Sequence, residues 1–98
     1  MEKKAMISQP MNGRTRHEIL EERKRVSELL EEKGFEVIDT FFTDDMQPLE
    51  HLGRSICAMA YVDCVAFVPG WEEARGCRIE HECAYEYGKQ IITIADGF

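Results

Sequence analysis

The segment Asp63-Cys-Val-Ala-Phe-Val-Pro-Gly70 is apolar at every position between its first residue and the Pro-Gly pair. A strand that is buried on both faces has this unbroken apolar character, whereas a strand with one solvated face alternates apolar and polar residues. Pro69 and Gly70 end the segment, because proline cannot donate to a sheet ladder and glycine favours turns. The segment therefore predicts a central strand of a parallel sheet.

Strands and helices alternate on both sides of this segment. Further strands are predicted at 4–8, 35–39 and 90–95, and helices between Thr15 and Gly34, from Pro48 to Met59 and from about Glu73 to Tyr87. This βαβαβαβ order with short connections predicts an α/β fold, a Rossmann/flavodoxin-like three-layer sandwich with a parallel sheet of about four strands. Residues 1–98 are predicted to form a single domain.

Local signals support the first two helices. Thr15 and Glu18 have the spacing of a capping box, and Pro48 suits the first turn of a helix. The apolar face predicted for the second helix consists of Leu49, Leu52, Ile56 and Met59. The charged run at 21–25 and the two histidines His17 and His51 are interpreted as solvated helix positions.

The composition restricts the class of protein. Hydrophobic residues make up 44% and charged residues 32% of the chain, as in folded soluble domains. A net charge of −7 leaves no surplus of lysine and arginine for the phosphates of a nucleic acid polymer, so none is expected as a partner. No apolar run approaches the ~20 residues of a membrane span, and the N-terminus does not resemble a secretory signal. We therefore expect a cytoplasmic protein without a membrane partner.

Metal and cofactor sites are not expected. The cysteines lack the spacing of a disulfide scaffold, which predicts reduced thiols. Cys77 and His81 stand four residues apart on a helix, but no second pair has zinc-ligand spacing.

Glu80 is the most informative single residue. It falls within the apolar stripe of the third helix, which is formed by Gly76, Cys77, Cys83, Ala84 and Tyr87. A carboxylate on the core side of a helix is costly unless it is paired or lines a cavity. We therefore interpret Glu80 as a pocket carboxylate, and the alternative is a buried ion pair with Arg54.

Two loops follow parallel strands and are therefore expected at the same edge of the sheet. This is the edge at the carboxyl ends of the strands, where open α/β sheets bind ligands. The loop at 8–14 leads into a helix N-terminus and carries Arg14, which suits a phosphate or carboxylate. In the loop at 69–72, Trp71 is predicted either to stack on a nucleobase or to cover the sheet edge or a subunit contact. Asp63 opens its strand and should lie at the opposite edge, so a capping or turn role is expected for it.

Three longer segments carry a family resemblance. They are Ile7-Ser-Gln-Pro-Met-Asn-Gly13, Val65-Ala-Phe-Val-Pro-Gly-Trp-Glu72 and Gly76-Cys-Arg-Ile-Glu-His-Glu-Cys-Ala84. Together they resemble the nucleoside 2-deoxyribosyltransferase superfamily, in particular a small branch common in phages and gut bacteria. The third segment is the most specific, because family members place a glycine there, then the catalytic glutamate, then an alanine four residues later. That glutamate corresponds to Glu80.

The resemblance implies a reaction. The family's glutamate attacks the anomeric carbon of a (deoxy)nucleoside or its 5′-monophosphate, displaces the base, and passes the sugar to another base or to water. Two positions depart from the family pattern, since Ser55 replaces an acid and Met6 replaces a tyrosine that many members carry. Either another group handles the proton, such as His81, Glu72 or a partner subunit's residue, or the domain binds nucleotides without cleaving them.

The sequence thus predicts a nucleoside or nucleoside 5′-monophosphate ligand, processed by N-glycosidic bond cleavage or (deoxy)ribosyl transfer. The alternative is a catalytically inactive nucleotide-binding or sensing module. Because family members commonly complete their sites with a neighbour's residues, a homodimer or higher homo-oligomer is expected. Glu80 is the predicted catalytic residue, no metal or other cofactor is predicted, and the predicted ligand-binding residues are Ser8, Gln9, Met11, Asn12, Gly13, Arg14, Ser55, Gly70, Trp71 and Gly76.

Overall fold

A computed structural model describes residues 3–41 and 45–98. The strands and α-helices of these residues are, in chain order, β1 (Lys3–Ser8), α1 (Arg16–Glu32), β2 (Phe35–Val37), α2 (Pro48–Met59), β3 (Cys64–Phe67), α3 (Arg75–Glu86) and β4 (Gln90–Thr93). A short 3₁₀ turn, Trp71–Glu73, precedes α3, which therefore begins two residues later than predicted. Within the described ranges no helix has the length and apolar character needed to cross a membrane.

The four strands form one parallel sheet in the order β2-β1-β3-β4. The predicted α/β, Rossmann/flavodoxin-like fold is therefore confirmed. The chain leaves β1 toward one side of the sheet and later returns to β1's other side as β3, so the strand order reverses between these two strands. Ser8 and Phe67 are paired at their carboxyl ends. Open sheets bind ligands at such a reversal point.

The sheet is the middle of three layers because the side chains of β1 alternate between two cores. Ala5 and Ile7 pack against α1, whereas Met6 packs against α2 and α3. Ser8 follows Met6 by two residues and therefore belongs to the α2 and α3 face of the sheet. Glu80 approaches from α3 on that same face.

The start of α1 has the predicted capping box. The side-chain oxygen of Thr15 accepts a hydrogen bond from the backbone nitrogen of Glu18 at 3.1 Å. The Oε1 atom of Glu18 accepts one from the backbone nitrogen of Thr15 at 3.0 Å. The helix is thus fixed immediately after the loop that follows β1, and this fixes where that loop can lie.

Two predicted apolar contacts are wrong. Leu49 is 78% exposed, and the buried residues of α2, Ser55 and Met59, lie in the later part of the helix. Tyr87 is 81% exposed because it follows the last residue of α3, where the helical spacing no longer directs side chains inward. Asp63 directly precedes β3, and its Oδ2 atom accepts a hydrogen bond from the backbone nitrogen of Lys4 in β1 at 2.8 Å, so it joins two strands rather than having the predicted capping or turn role.

Candidate functional site

A cleft of about 1170 Å³ opens at the carboxyl ends of β1 and β3. Its walls are the loop after β1, the N-terminal half of α1, the segment leading into α2, α2 itself, and the start of α3. The volume is sufficient for a ligand of nucleotide size. The cleft lining includes eight of the eleven predicted site residues, namely Gln9, Met11, Asn12, Arg14, Ser55, Gly70, Gly76 and Glu80.

Glu80 forms part of this lining and is nevertheless only 7% exposed. Its Oε1 atom accepts a hydrogen bond from the Oγ atom of Ser8 at 2.6 Å, and the Ser55 hydroxyl also donates to the carboxylate. Ser8 itself is buried behind the cleft surface. Side chains from β1, α2 and α3 therefore meet at one carboxylate.

The proposed ion pair between Glu80 and Arg54 is wrong. Arg54 is exposed, and its Nη2 atom lies 3.7 Å from Oε2 of Glu50 on its own helix. Consecutive side chains of a helix point in different directions, so Ser55 faces Glu80 and Arg54 faces solvent. Glu80 has no salt bridge to any residue in the described ranges.

Burial raises the pKa of Glu80 because the charged form loses its hydration. The hydrogen bonds from Ser8 and Ser55 and the charge of Arg23 act in the opposite direction, since each favours the carboxylate. A buried carboxylate that is oriented by hydroxyl donors and has no salt bridge within the described ranges is available to a ligand. This is the arrangement required of a nucleophile or a general acid/base.

A polar network behind the first loop was missed by the sequence interpretation. Glu22 and Arg23 were expected on a solvated face, but they are only 8% and 6% exposed. The guanidinium of Arg23 donates from Nη1 to Oε1 of Gln9 and from Nη2 to Oγ1 of Thr40, each at 3.0 Å. Gln9 in turn donates from Nε2 to Oε1 of Glu22 at 2.8 Å. The network connects α1, the loop after β1 and the segment after β2.

Helical spacing contained a signal for these two residues. Glu22 and Arg23 lie between two buried residues of α1, Ile19 and Val26. Each of them is three or four positions away from both. They therefore lie on the inward face of α1, and burial of charged groups there requires hydrogen-bonding partners. The partners come from other elements, so the sequence pattern alone did not identify them.

Arg14 is placed in the cleft as predicted, but its charge is balanced there. Its Nη1 atom lies 2.6 Å from Oε1 of Glu22 and also donates to the carbonyl oxygen of Pro10 at 3.1 Å. Three other arginines line the same cleft, and they are Arg16, Arg75 and Arg78. Positive charge therefore reaches the cleft both from α1 with the loop before it and from α3.

A family profile described as Domain of unknown function (DUF4406) matches residues 3–93. The chain belongs to this family. A search of curated proteins found no match. The residues matched to the DUF4406 family include all four strands, the three helices and Glu80.

Trp71 of this DUF4406 domain lies outside the cleft lining. Its ring is stacked on the ring of His81, with centroids 4.3 Å apart and an interplanar angle of 8°, and it also contacts Phe67 at 5.4 Å. Gly13 and Glu72 are likewise absent from the lining, and both are exposed. Trp71 packs against Phe67 at the carboxyl end of β3, and its predicted contacts with a nucleobase or a second subunit stay predictions.

His51 was expected to be solvated, but it is half-buried and lines the cleft. Burial and the nearby charge of Arg23 lower its pKa, because both disfavour the imidazolium. His51 stands four residues before Ser55 on α2, so the two side chains share one face of that helix. This spacing is visible in the sequence and could have indicated a cleft position.

In residues 3–41 and 45–98, no three histidine, cysteine or acidic side chains are grouped as metal ligands would be. Cys77 lines the cleft beside Ser8 and Glu80. Burial raises the pKa of its thiol to about 11, so it remains protonated at neutral pH. The groups available for chemistry in the described part of the cleft are therefore carboxylates, hydroxyls, guanidinium groups and one imidazole.

Proposed function

We propose that this DUF4406 domain cleaves the N-glycosidic bond of a nucleoside or nucleoside 5′-monophosphate, or transfers its (deoxy)ribosyl group, with Glu80 as the nucleophile. One observation carries the proposal. The carboxylate of Glu80 is buried at the strand-order reversal, lines a cleft, and is oriented by Ser8 at 2.6 Å. The resemblance of residues 76–84 to the nucleoside 2-deoxyribosyltransferase superfamily supports the same role.

The chemistry requires a carboxylate that is fixed in position. A carboxylate oxygen attacks the anomeric carbon as the base departs, and the glycosyl ester that forms is then opened by water or by a second base. Because Ser8 and Ser55 donate to Glu80, the side chain is oriented before the substrate arrives. Such pre-organisation lowers the cost of reaching the reactive geometry.

The charge of the cleft supports an anionic form of the substrate. Arg16, Arg75 and Arg78 line it on a chain whose net charge is −7. Arg75 forms no salt bridge within the described ranges. A local concentration of positive charge attracts anions to a cleft even when the whole protein is acidic. A 5′-phosphate would supply such an anion.

The test is incubation of the purified protein with pooled nucleosides and 5′-monophosphates, with and without an acceptor base, followed by chromatography. We expect free base or an exchanged nucleoside from wild type, and no turnover from Glu80→Gln. The matched control is Glu82→Gln, which changes an exposed glutamate on the same helix and should leave the rate unchanged. A Glu80→Gln protein as active as wild type would contradict the proposal.

The same experiment addresses the alternative of a nucleotide-binding or sensing module, which the departure at Ser55 favours. Wild type would then release no base, whereas one nucleotide would raise the melting temperature, and the rise would grow with the logarithm of its concentration once this exceeds the Kd. Glu80→Gln would bind that nucleotide as well, because a binding module does not require a nucleophile.

A further inference from the structure

Breaking an N-glycosidic bond leaves an electron pair on the base, so the reaction needs a proton donor close to the nucleophile. Ser55, at the position where many relatives carry an acid, has a hydroxyl that donates to Glu80. A serine hydroxyl is too weak an acid to protonate a departing base. Its contact assigns it instead to the orientation of the carboxylate.

Two other residues considered from the sequence lie elsewhere. His81 is stacked on Trp71, and Glu72 is exposed in the 3₁₀ turn before α3. Neither is part of the cleft lining. Within this chain, the candidates for the proton donor are therefore the side chains that do line the cleft.

His51 lines the cleft from α2, one helical turn before Ser55. Side chains four apart on a helix have Cβ atoms about 5–6 Å apart, and the Ser55 side chain contacts Glu80. The imidazole of His51 and the carboxylate of Glu80 therefore line the same cleft from two helices that pack together, α2 and α3.

We propose that His51 is the acid/base catalyst of the reaction, an inference that rests on the proposed function of Glu80. A carboxylate oxygen of Glu80 bonds to the anomeric carbon while the C1′–N bond breaks and its electron pair moves to the base. The imidazolium of His51 donates a proton to the base and becomes neutral. Water then bonds to the anomeric carbon and gives its proton to His51, and the ester bond breaks to restore the carboxylate of Glu80.

The surroundings of the two groups shift their pKa values toward each other. The remaining charged groups of the cleft lining are Arg14, Arg16 and Glu22 from α1 and the loop before it, and Glu73, Arg75 and Arg78 from α3 and its approach. Behind the lining, Arg23 acts on both His51 and Glu80. Burial lowers the pKa of His51 from its ordinary value of 6.5 and raises that of Glu80 from 4.5.

The pH dependence follows from these directions. Glu80 must be ionised, so kcat/KM should rise with pH through a pKa above 4.5. His51 must be protonated, so kcat/KM should fall through a pKa below 6.5. In His51→Asn the falling limb should disappear, and this readout applies to whichever substrate the wild type uses.

The decisive experiment compares guanosine 5′-monophosphate with its N7-methylated form, whose base departs without needing a proton. For His51→Asn we expect a loss of about 10²–10⁴-fold on the first substrate and less than about 10-fold on the second, the range for a general acid. His17→Asn is the matched control, because His17 is an exposed histidine of α1. His51→Gln and a thermal melt of each variant show whether the fold is retained.

Each outcome is informative. Equal losses on both substrates would overturn the acid role, since a binding or structural defect does not distinguish the leaving groups. A His51→Asn protein with the wild-type rate and an unchanged falling limb would overturn this inference and leave the role of Glu80 intact. A wild type that releases base from no nucleoside or nucleotide would overturn both proposals together.

Discussion

Replacing Arg23 with methionine tests whether the polar network behind the first loop stabilises the fold. The substitution removes two hydrogen bonds of 3.0 Å, one to Gln9 and one to Thr40, while methionine retains most of the apolar stem. Hydrogen bonds from a charged donor contribute about 1.5–3 kcal/mol each, so the gross loss is about 3–6 kcal/mol. The guanidinium no longer has to be buried in the variant, which offsets part of this loss.

We therefore expect Arg23→Met to lower the free energy of unfolding by about 2–4 kcal/mol, a large part of the 5–15 kcal/mol typical of a domain. The salt bridge to Asp39 adds little, because its N–O distance is 3.7 Å and that carboxylate is exposed. Urea denaturation followed by circular dichroism gives the difference directly. The slope of the unfolding free energy against urea concentration should be unchanged, since nearly the same surface is exposed on unfolding.

Lys24→Met provides the matched control, because Lys24 is the next residue of α1 and is exposed. Its free energy of unfolding should remain within about 0.5 kcal/mol of wild type. An Arg23→Met protein as stable as this control would refute the reasoning. It would mean that Gln9 and Thr40 find other partners at no cost, and that the loop after β1 does not depend on α1 for its position.

Two further predictions concern Glu80 and the start of α1. The folded-state pKa of Glu80 is raised above 4.5, so its contribution to stability is fully present below pH 4.5 and is lost as pH rises through the folded value. Glu80→Gln should therefore gain melting temperature relative to wild type between pH 4 and pH 7, and a constant difference across that range would contradict this sign. Thr15→Ala should cost about 1 kcal/mol in urea denaturation because it removes the side-chain cap of α1. Thr15→Ser keeps the hydroxyl and should cost much less, and equal losses in the two variants would show that the cap is not the cause.

The parts of the fold that were predictable are those with a local signal. The apolar run at 64–68 has the composition of a central parallel strand, and Thr15 with Glu18 fixes a helix start through atoms only three residues apart. Glu80 was identified because a charged residue within an apolar stripe contradicts the helical pattern around it. Each of these inferences needs only neighbouring residues.

The parts that were missed depend on contacts between distant residues. Arg23 lies in a run of charged residues with no contrast in polarity, and its partner Thr40 is seventeen positions away. The spacing of His51 and Ser55 places both on one face of α2, but whether that face meets a cleft depends on residues of other elements. Leu49 illustrates the opposite error, since its spacing fits the apolar face but the buried residues of α2 lie later in the helix.

The stacked pair of Trp71 and His81 gives the protein an intrinsic optical reporter. Trp71 is the single tryptophan of the chain, and the imidazole lies flat against it with 4.3 Å between the ring centroids. His81 directly follows Glu80 on α3, so any displacement of that helix changes the contact between the two rings. Tryptophan emission therefore reports any displacement of α3 relative to Trp71 in unlabelled protein, including variants that release no product.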